Sequence, residues 1–240
     1  MNRGTALPAT ATFARKMVDP RQQKHAVLWS ARCRQPRGRV VGKSVIPLFP
    51  LNTVLFIDGQ LPLRIFEPRY IDMVGRCMRE QAGFGVVLIR AGQEARLQAD
   101  AQQPSFCPVG TYAEITDFNQ LPNGLLGIVS TGKRQFQVLS VRERADHLLR
   151  ADVEFLPEEP EAPLPEEYRP LGDLLHRLLE HPVARQKYAE VPVDLSDARS
   201  VSWRLAELLP VEAEVKQALL VMASAQERLA ALNRIVEQLQ

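Results

Sequence analysis

The sequence predicts an α+β fold: a small closed or half-closed β-barrel carrying one helix, followed by a four-helix bundle. Three observations carry this. The hydrophobic period changes from two to about 3.6 residues across a Pro/Glu stretch, Pro157 to Pro165. The strand-like runs before that stretch are joined by connections too short for repeated crossover helices, which disfavours a parallel sheet. Charge is also unevenly placed, with ten Lys and Arg against the single acid Asp19 in residues 1–43, and 20 bases against 27 acids in residues 44–240. These shifts divide the chain into a basic disordered extension (1–43), a β module (44–156), and a linker with the helical domain (157–240).

The extension has no unbroken apolar stretch of the kind a secretory signal needs, because Arg15, Lys16, Arg21, Lys24 and Arg32 interrupt it. Gly42-Lys43-Ser44 resembles the end of a phosphate-binding loop, but the glycine required five residues earlier is Arg37, and Pro47 and Pro50 follow where a helix should open. In the β module, Ile46 to Leu51 and Thr53 to Ile57 read as strands, the second ending at an Asp58-Gly59 hairpin turn. Leu61 to Phe66 reads as the next strand. Pro68 then suits the first position of a helix, where its missing N–H costs nothing, and Tyr70, Met73, Val74, Cys77 and Met78 recur on one face.

Phe84 to Arg90 reads as a strand buried on both sides, followed by a polar loop near 92–105. Val109 to Thr116, Leu125 to Val129, Arg134 to Leu139 and Leu148 to Leu156 complete the module, with turns at Asn123-Gly124 and Thr131-Gly132. Beyond the linker, four apolar stripes mark helices: Leu171 to Leu179, Val201 to Leu209, Val215 to Met222, and Leu229 to Leu239. Ser224-Ala-Gln-Glu227 is a capping box opening the last, since Ser and Glu side chains can satisfy each other's exposed backbone N–H groups.

Few residues point to chemistry. The histidines lack partners at metal-ligand spacing, and neither a GxSxG elbow nor an HExxH helix is present. Cys33, Cys77 and Cys107 are an odd number without CxxC spacing, which fits free thiols in a reducing compartment and a cytoplasmic location. No apolar run reaches the roughly 18–20 residues of a membrane-spanning helix. No catalytic residue, metal or cofactor is therefore expected.

The blocks Ile46-Pro-Leu-Phe-Pro-Leu51 and Leu63-Arg-Ile-Phe-Glu-Pro-Arg-Tyr70 resemble the amino-terminal domain of Lon proteases. The resemblance continues through Phe84-Gly-Val-Val-Leu-Ile89, Val109-Gly-Thr-Tyr-Ala-Glu-Ile115 and Gly132-Lys-Arg-Gln-Phe136, and resumes at Leu209-Pro-Val211, Lys216-Gln-Ala-Leu-Leu220 and Glu227-Arg-Leu229. It implies a PUA-like β-domain and a helical bundle, a module that in Lon recognises protein substrates and contributes to assembly. The same β-domain occurs in cereblon, but the cysteine spacing of cereblon's separate zinc-bearing domain is missing here.

The chain ends where the Lon ATPase would begin, so the resemblance implies a standalone binding module without ATPase or serine-lysine peptidase activity. Such a module would be an adaptor or accessory in proteolysis. The partners it implies are unfolded or partner polypeptides, with self-association also open and no membrane. RNA binding, known among PUA-like barrels, is the alternative, but the acidic balance of residues 44–240 makes nucleic acid an unfavoured partner. Candidate peptide contacts are Glu67, Arg69 and Tyr70, together with Phe49, Leu51 and Phe56, read as exposed apolar residues near the Pro-rich first strands where an extended peptide can add to an open sheet edge. An architectural role for Glu67 to Tyr70 competes with this reading, because Glu67 suits a helix N-terminus, Arg69 can pair with it and Tyr70 can pack.

Overall fold

The computed structural model describes residues 41–91, 105–122, 124–188, 191 and 193–239. The expected basic extension lies outside the described residues up to position 40, and so does the polar loop over 92–104. Seven strands are described: β1 (Val41–Leu51), β2 (Gln60–Ile65), β3 (Phe84–Ala91), β4 (Ser105–Phe106), β5 (Val109–Gln120), β6 (Leu126–Glu143) and β7 (Leu149–Phe155). Helix α1 (Pro68–Glu80) lies between β2 and β3. After β7 come a short 3-10 turn (Glu166–Tyr168), α2 (Arg169–Glu180), α3 (Pro182–Lys187), α4 (Ala198–Leu208), α5 (Ala213–Leu220) and α6 (Ala225–Leu239). The six-residue α3 adds to the four helices read after the linker.

The sheet runs β1-β7-β6-β5-β3 and returns to β1, because Leu48 to Leu51 pair in parallel with Gly85 to Leu88. This is the one parallel contact among the described strands, and the crossover through β2 and α1 makes it possible. The pleat sends alternate residues to opposite faces. Ile46, Leu48, Val87, Phe136, Ala151 and Val153 gather in one cluster drawn from β1, β3, β6 and β7, as residues facing the inside of the ring must. Phe49, Leu51, Phe84 and Val86 turn the other way, onto Tyr70, Met73, Val74 and Cys77 of α1. Helix α1 thus buries the face its spacing predicts, except that Met78 remains 38% exposed.

Two segments differ from expectation. Residues 53–57 form no strand; Val54 and Phe56 pack with the helices while Leu55 packs with the β core. The backbone of this segment is held instead by Thr111 Oγ1, which donates to the Leu55 carbonyl at 2.6 Å, and by Asp58 N–H donating to the Gly132 carbonyl at 2.8 Å. Asp58, at φ 56°, still turns the chain, with Gly59 N–H bonded to the Phe56 carbonyl at 3.1 Å. It leads into β2, whose partner is β6.

Thr131-Gly132 is not a turn but lies inside the 18-residue β6. Tyr112 faces Arg134 and Ala113 faces Gly132, so Lys133 is the extra residue of a β-bulge. Glycine is required here by close approach, since a Cβ at Gly132 would sit 2.2 Å from the Phe56 carbonyl oxygen. Gly132→Ala is expected to destabilise the protein by about 1–3 kcal/mol through overpacking, measured as a lower urea midpoint.

The helices share a core with the β module: Phe56, Val54, Leu88 and Cys107 join Trp203, Leu205, Leu219, Leu229 and Leu232. Polar contacts reinforce the seam. Gln217 Nε2 donates to the Val109 carbonyl at 3.0 Å, Gln135 Nε2 to the Leu220 carbonyl, and Arg204 Nη2 to the Asp58 carbonyl at 3.1 Å. The Pro/Glu stretch is fastened to the helices rather than free. Ala198 N–H donates to the Ala162 carbonyl at 2.8 Å, Leu164 N–H to the Ser196 carbonyl at 2.7 Å, and Arg199 pairs with Glu161 at 2.9 Å.

Two caps finish the helical part. Asp197 accepts from the N–H groups of Arg199 and Ser200 at the start of α4. At α6, Glu227 N–H donates to Ser224 Oγ at 3.2 Å, while the Glu227 carboxylate accepts from Ala223 N–H one residue further out than a standard capping box.

Candidate functional site

The six residues singled out from sequence fall into two places, neither of them an exposed edge. Phe49, Leu51 and Phe56 are buried, at 7%, 6% and 0% exposure, which corrects the expectation that they present an apolar surface. The physical reason is that β1 is covered on both faces, by the ring interior and by α1, while Phe56 sits against Trp203 with ring centroids 5.8 Å apart.

Glu67, Arg69 and Tyr70 are brought together with Phe49 at the start of α1. Tyr70 stacks on Phe49 at 4.0 Å and Arg69 lies over the Tyr70 ring at 4.5 Å. Arg69 Nη2 pairs with the Glu67 carboxylate at 2.7 Å and its Nη1 donates to the His147 carbonyl at 3.1 Å. This knot ties the helix to β1 and to the turn between β6 and β7. Within Phe-Glu-Pro-Arg-Tyr, Arg69 is thus engaged by the Glu67 carboxylate, the Tyr70 ring and the His147 carbonyl.

A different feature faces solvent. A cleft of about 190 Å³ opens between the second half of α1 and the N-terminal half of β1, with Tyr112 of β5 and Arg150 of β7 also in its lining. Helix α1 contributes Arg76, Cys77 and Glu80; β1 contributes Val45 and Pro47. Four elements meet there because β3 takes up β1 only from Leu48 onward, leaving a gap beside residues 44–47 that the end of α1 partly fills.

The electrostatics of the cleft disfavour a nucleophilic reaction. Burial pushes the Cys77 thiol up, Glu80 adds to the effect, and Arg76 and Arg150 oppose it without reversing it. Burial likewise raises the Tyr112 phenol, whose oxygen accepts the Gly83 N–H. A protonated thiol and a protonated phenol are poor nucleophiles. Arg150 Nε is shielded from water without a hydrogen-bond acceptor, and Arg76 meets Asp146 only at 3.7 Å. Among the described residues no cluster of His, Cys, Asp and Glu could hold a metal ion, and no helix is long and apolar enough to cross a membrane.

Residues 45–238 match the model of the ATP-dependent protease La (LON) substrate-binding domain. The chain belongs to this family. It is 25% identical over 203 residues to Lon protease of Bacillus thuringiensis (strain Al Hakam), which spans 80% of this chain and 24% of that protein. It is also 31% identical over 114 residues to protein cereblon of Xenopus tropicalis, spanning 47% of this chain and 24% of the relative. The chain thus covers about a quarter of the length of these relatives.

Among solved structures, a Lon N-terminal domain protein from Xanthomonas campestris is 31% identical, with a TM-score of 0.64 over 80% of this chain and 98% of that one. The N-terminal domain of a Mycobacterium avium complex Lon protease shares the fold at 18% identity, with a TM-score of 0.51.

The LON substrate-binding fold of this chain also explains why sequence reasoning passed over the cleft. Arg150 lies between the buried Leu149 and Ala151, so strand alternation reads it as an ordinary outward residue. Arg76 falls off the apolar face of α1 and looks like solvated helix surface. Only the convergence of four elements gives them a common neighbourhood.

Proposed function

We propose that this chain is a non-enzymatic polypeptide-recognition module that captures unfolded or partner proteins, acting as an adaptor or accessory in proteolysis. The observation that carries the reading is the match of residues 45–238 to a family described by substrate binding in Lon. Support also comes from architecture: the β module, which we read as PUA-like, and the helices, which we read as a four-helix bundle with one added turn, are fused through a shared core into a firm platform. Division into a β domain at 44–156 and a helical domain at 157–240 describes how the platform is assembled from sequence. The buried free thiols Cys77 and Cys107 agree with a reducing, cytoplasmic setting.

The residues at the start of α1 serve this function by holding the platform in shape, and contact with substrate falls to the solvent-facing groups around α1 and β1. The full chain is expected to co-sediment with a permanently unfolded protein, such as reduced and alkylated lactalbumin, and to ignore the same protein in its native form. Equal retention of both forms, or of neither, would sink the reading.

A further inference from the structure

We propose that the solvent-facing side of α1 is the contact surface of a homodimer, in which two copies of the chain cross antiparallel at Gly75. The partner is a second copy of this chain, and the contact is independent of polypeptide recognition.

The first support is a glycine that the protomer does not need. Gly75 lies inside the 13-residue α1, where glycine costs about 1 kcal/mol relative to alanine. At Gly83, Gly110 and Gly132 an added Cβ would strike backbone oxygens at 2.0, 2.3 and 2.2 Å. At Gly75 it would meet only Arg79 Nη1, at 3.5 Å, an ordinary contact with the end of a movable side chain. Among the described residues nothing therefore excludes a side chain at position 75. A glycine on the outer surface of a helix lets a second helix come close, because the side chains at the crossing set the interaxial distance.

The second support is that the residues flanking Gly75 match themselves. Ile71 is 44% exposed and Met78 38%, and Asp72 and Arg79 also face solvent. At about 100° per residue, Ile71 and Met78 fall about 40° and 60° to one side of Gly75, and Asp72 and Arg79 about 60° and 40° to the other. Along the axis, Ile71 and Asp72 lie about 6 and 4.5 Å before Gly75, and Met78 and Arg79 about 4.5 and 6 Å after it.

A two-fold axis at Gly75, perpendicular to both helices, reverses direction along the helix and keeps each flank on its own side. Ile71 then meets the partner's Met78, and Asp72 meets the partner's Arg79, each contact made twice as an isologous interface requires. A parallel pair would set the charged flank of one helix against the apolar flank of the other, so charge selects the antiparallel crossing. Among the described residues neither Asp72 nor Arg79 holds an ion pair within its own protomer. Arg76, about 100° round the helix from Gly75, faces Asp146 at 3.7 Å and stays at the rim.

The contact is small. Two apolar side chains and two charges from each protomer, spread over about two turns of helix, fall below the roughly 1,200 Å² of a standard interface. The dimer is accordingly weak, with a dissociation constant on the order of 100 μM.

Sedimentation equilibrium of the full chain from about 10 μM to about 1 mM should show the mass rising from one copy toward two. Gly75→Gln places a better helix former at the crossing, and should weaken association about tenfold while raising the melting temperature. A glycine needed by the protomer's own packing would lower that temperature instead. Asp72→Lys and Arg79→Glu should each weaken association about tenfold by setting like charges together, and mixing the two variants should restore it.

A chain that stays monomeric at about 1 mM, or a dimer that ignores Gly75→Gln or is not restored by mixing, overturns the homodimer. If the chain stays monomeric while Gly75→Gln weakens capture of unfolded lactalbumin, this face serves polypeptide capture, and the recognition reading survives the loss of the dimer. A dimer that responds as expected in a chain that captures no lactalbumin stands while that reading falls.

Discussion

Phe56→Ala should lower the free energy of unfolding by about 3–5 kcal/mol, the range for truncating a fully buried aromatic side chain. Phe56 has 0% exposure, packs against Trp203 at 5.8 Å, and belongs to the cluster that joins the β module to the helices. Its backbone cannot follow the lost ring inward. The Phe56 carbonyl is held by Gly59 N–H and abuts Gly132, so the cavity stays open. Because the ring fills the seam between two parts, the variant should also lose cooperativity. Near-ultraviolet signals from Trp203 should fade at lower urea than the far-ultraviolet signal of the sheet. A single coincident transition with a shift under about 1 kcal/mol would show that the seam does not depend on Phe56.

The second large effect is expected at Arg228. This side chain is completely buried on α6; its guanidinium lies 3.2 Å from the Trp203 ring centroid, donates to Ser202 Oγ at 2.9 Å and pairs with Glu159 at 2.5 Å. Burial pulls the guanidinium pKa down, and the Glu159 carboxylate opposes that pull. Removing one partner of such a pair strands the other charge, which typically costs about 3–5 kcal/mol, whereas replacing both with matched neutral groups is often neutral.

Arg228→Ala should therefore destabilise by about that amount, while Arg228→Met combined with Glu159→Gln should recover most of it. Urea unfolding of the single and double variants measures the difference. A double variant as weak as Arg228→Ala would mean that the ion pair itself, rather than the filled space, holds the linker.

Much of the fold was legible because it follows from local chemistry. Pro68 and the spacing of Tyr70, Met73, Val74 and Cys77 mark α1 correctly, and Ser224 with Glu227 marks the start of α6. The turn at Leu121 to Leu125 closes the hairpin between β5 and β6, with Gly124 at φ 80°. What failed depended on partners distant in sequence.

Val54, Leu55 and Phe56 look like a strand because apolar residues follow one another. All three are buried, but they serve two different cores, and no described strand pairs with them. Gly132 reads as a turn because Thr-Gly usually is one; its need for glycine comes from a carbonyl some 76 positions earlier, at Phe56. Phe49, Leu51 and Phe56 look exposed only while the crossover that covers β1 is unknown. The candidate cleft was least legible of all, since Arg76 and Arg150 are each unremarkable in their own element.

The return of the sheet to β1 also sets the order of events during synthesis. Val45 finds its partner in Asp152, and the ring cannot close until β7 has left the ribosome. Until then β1 waits with a bare edge while its parallel contact with β3 must hold unaided. Pairings this distant in sequence form slowly and leave strands open to other chains in the interval.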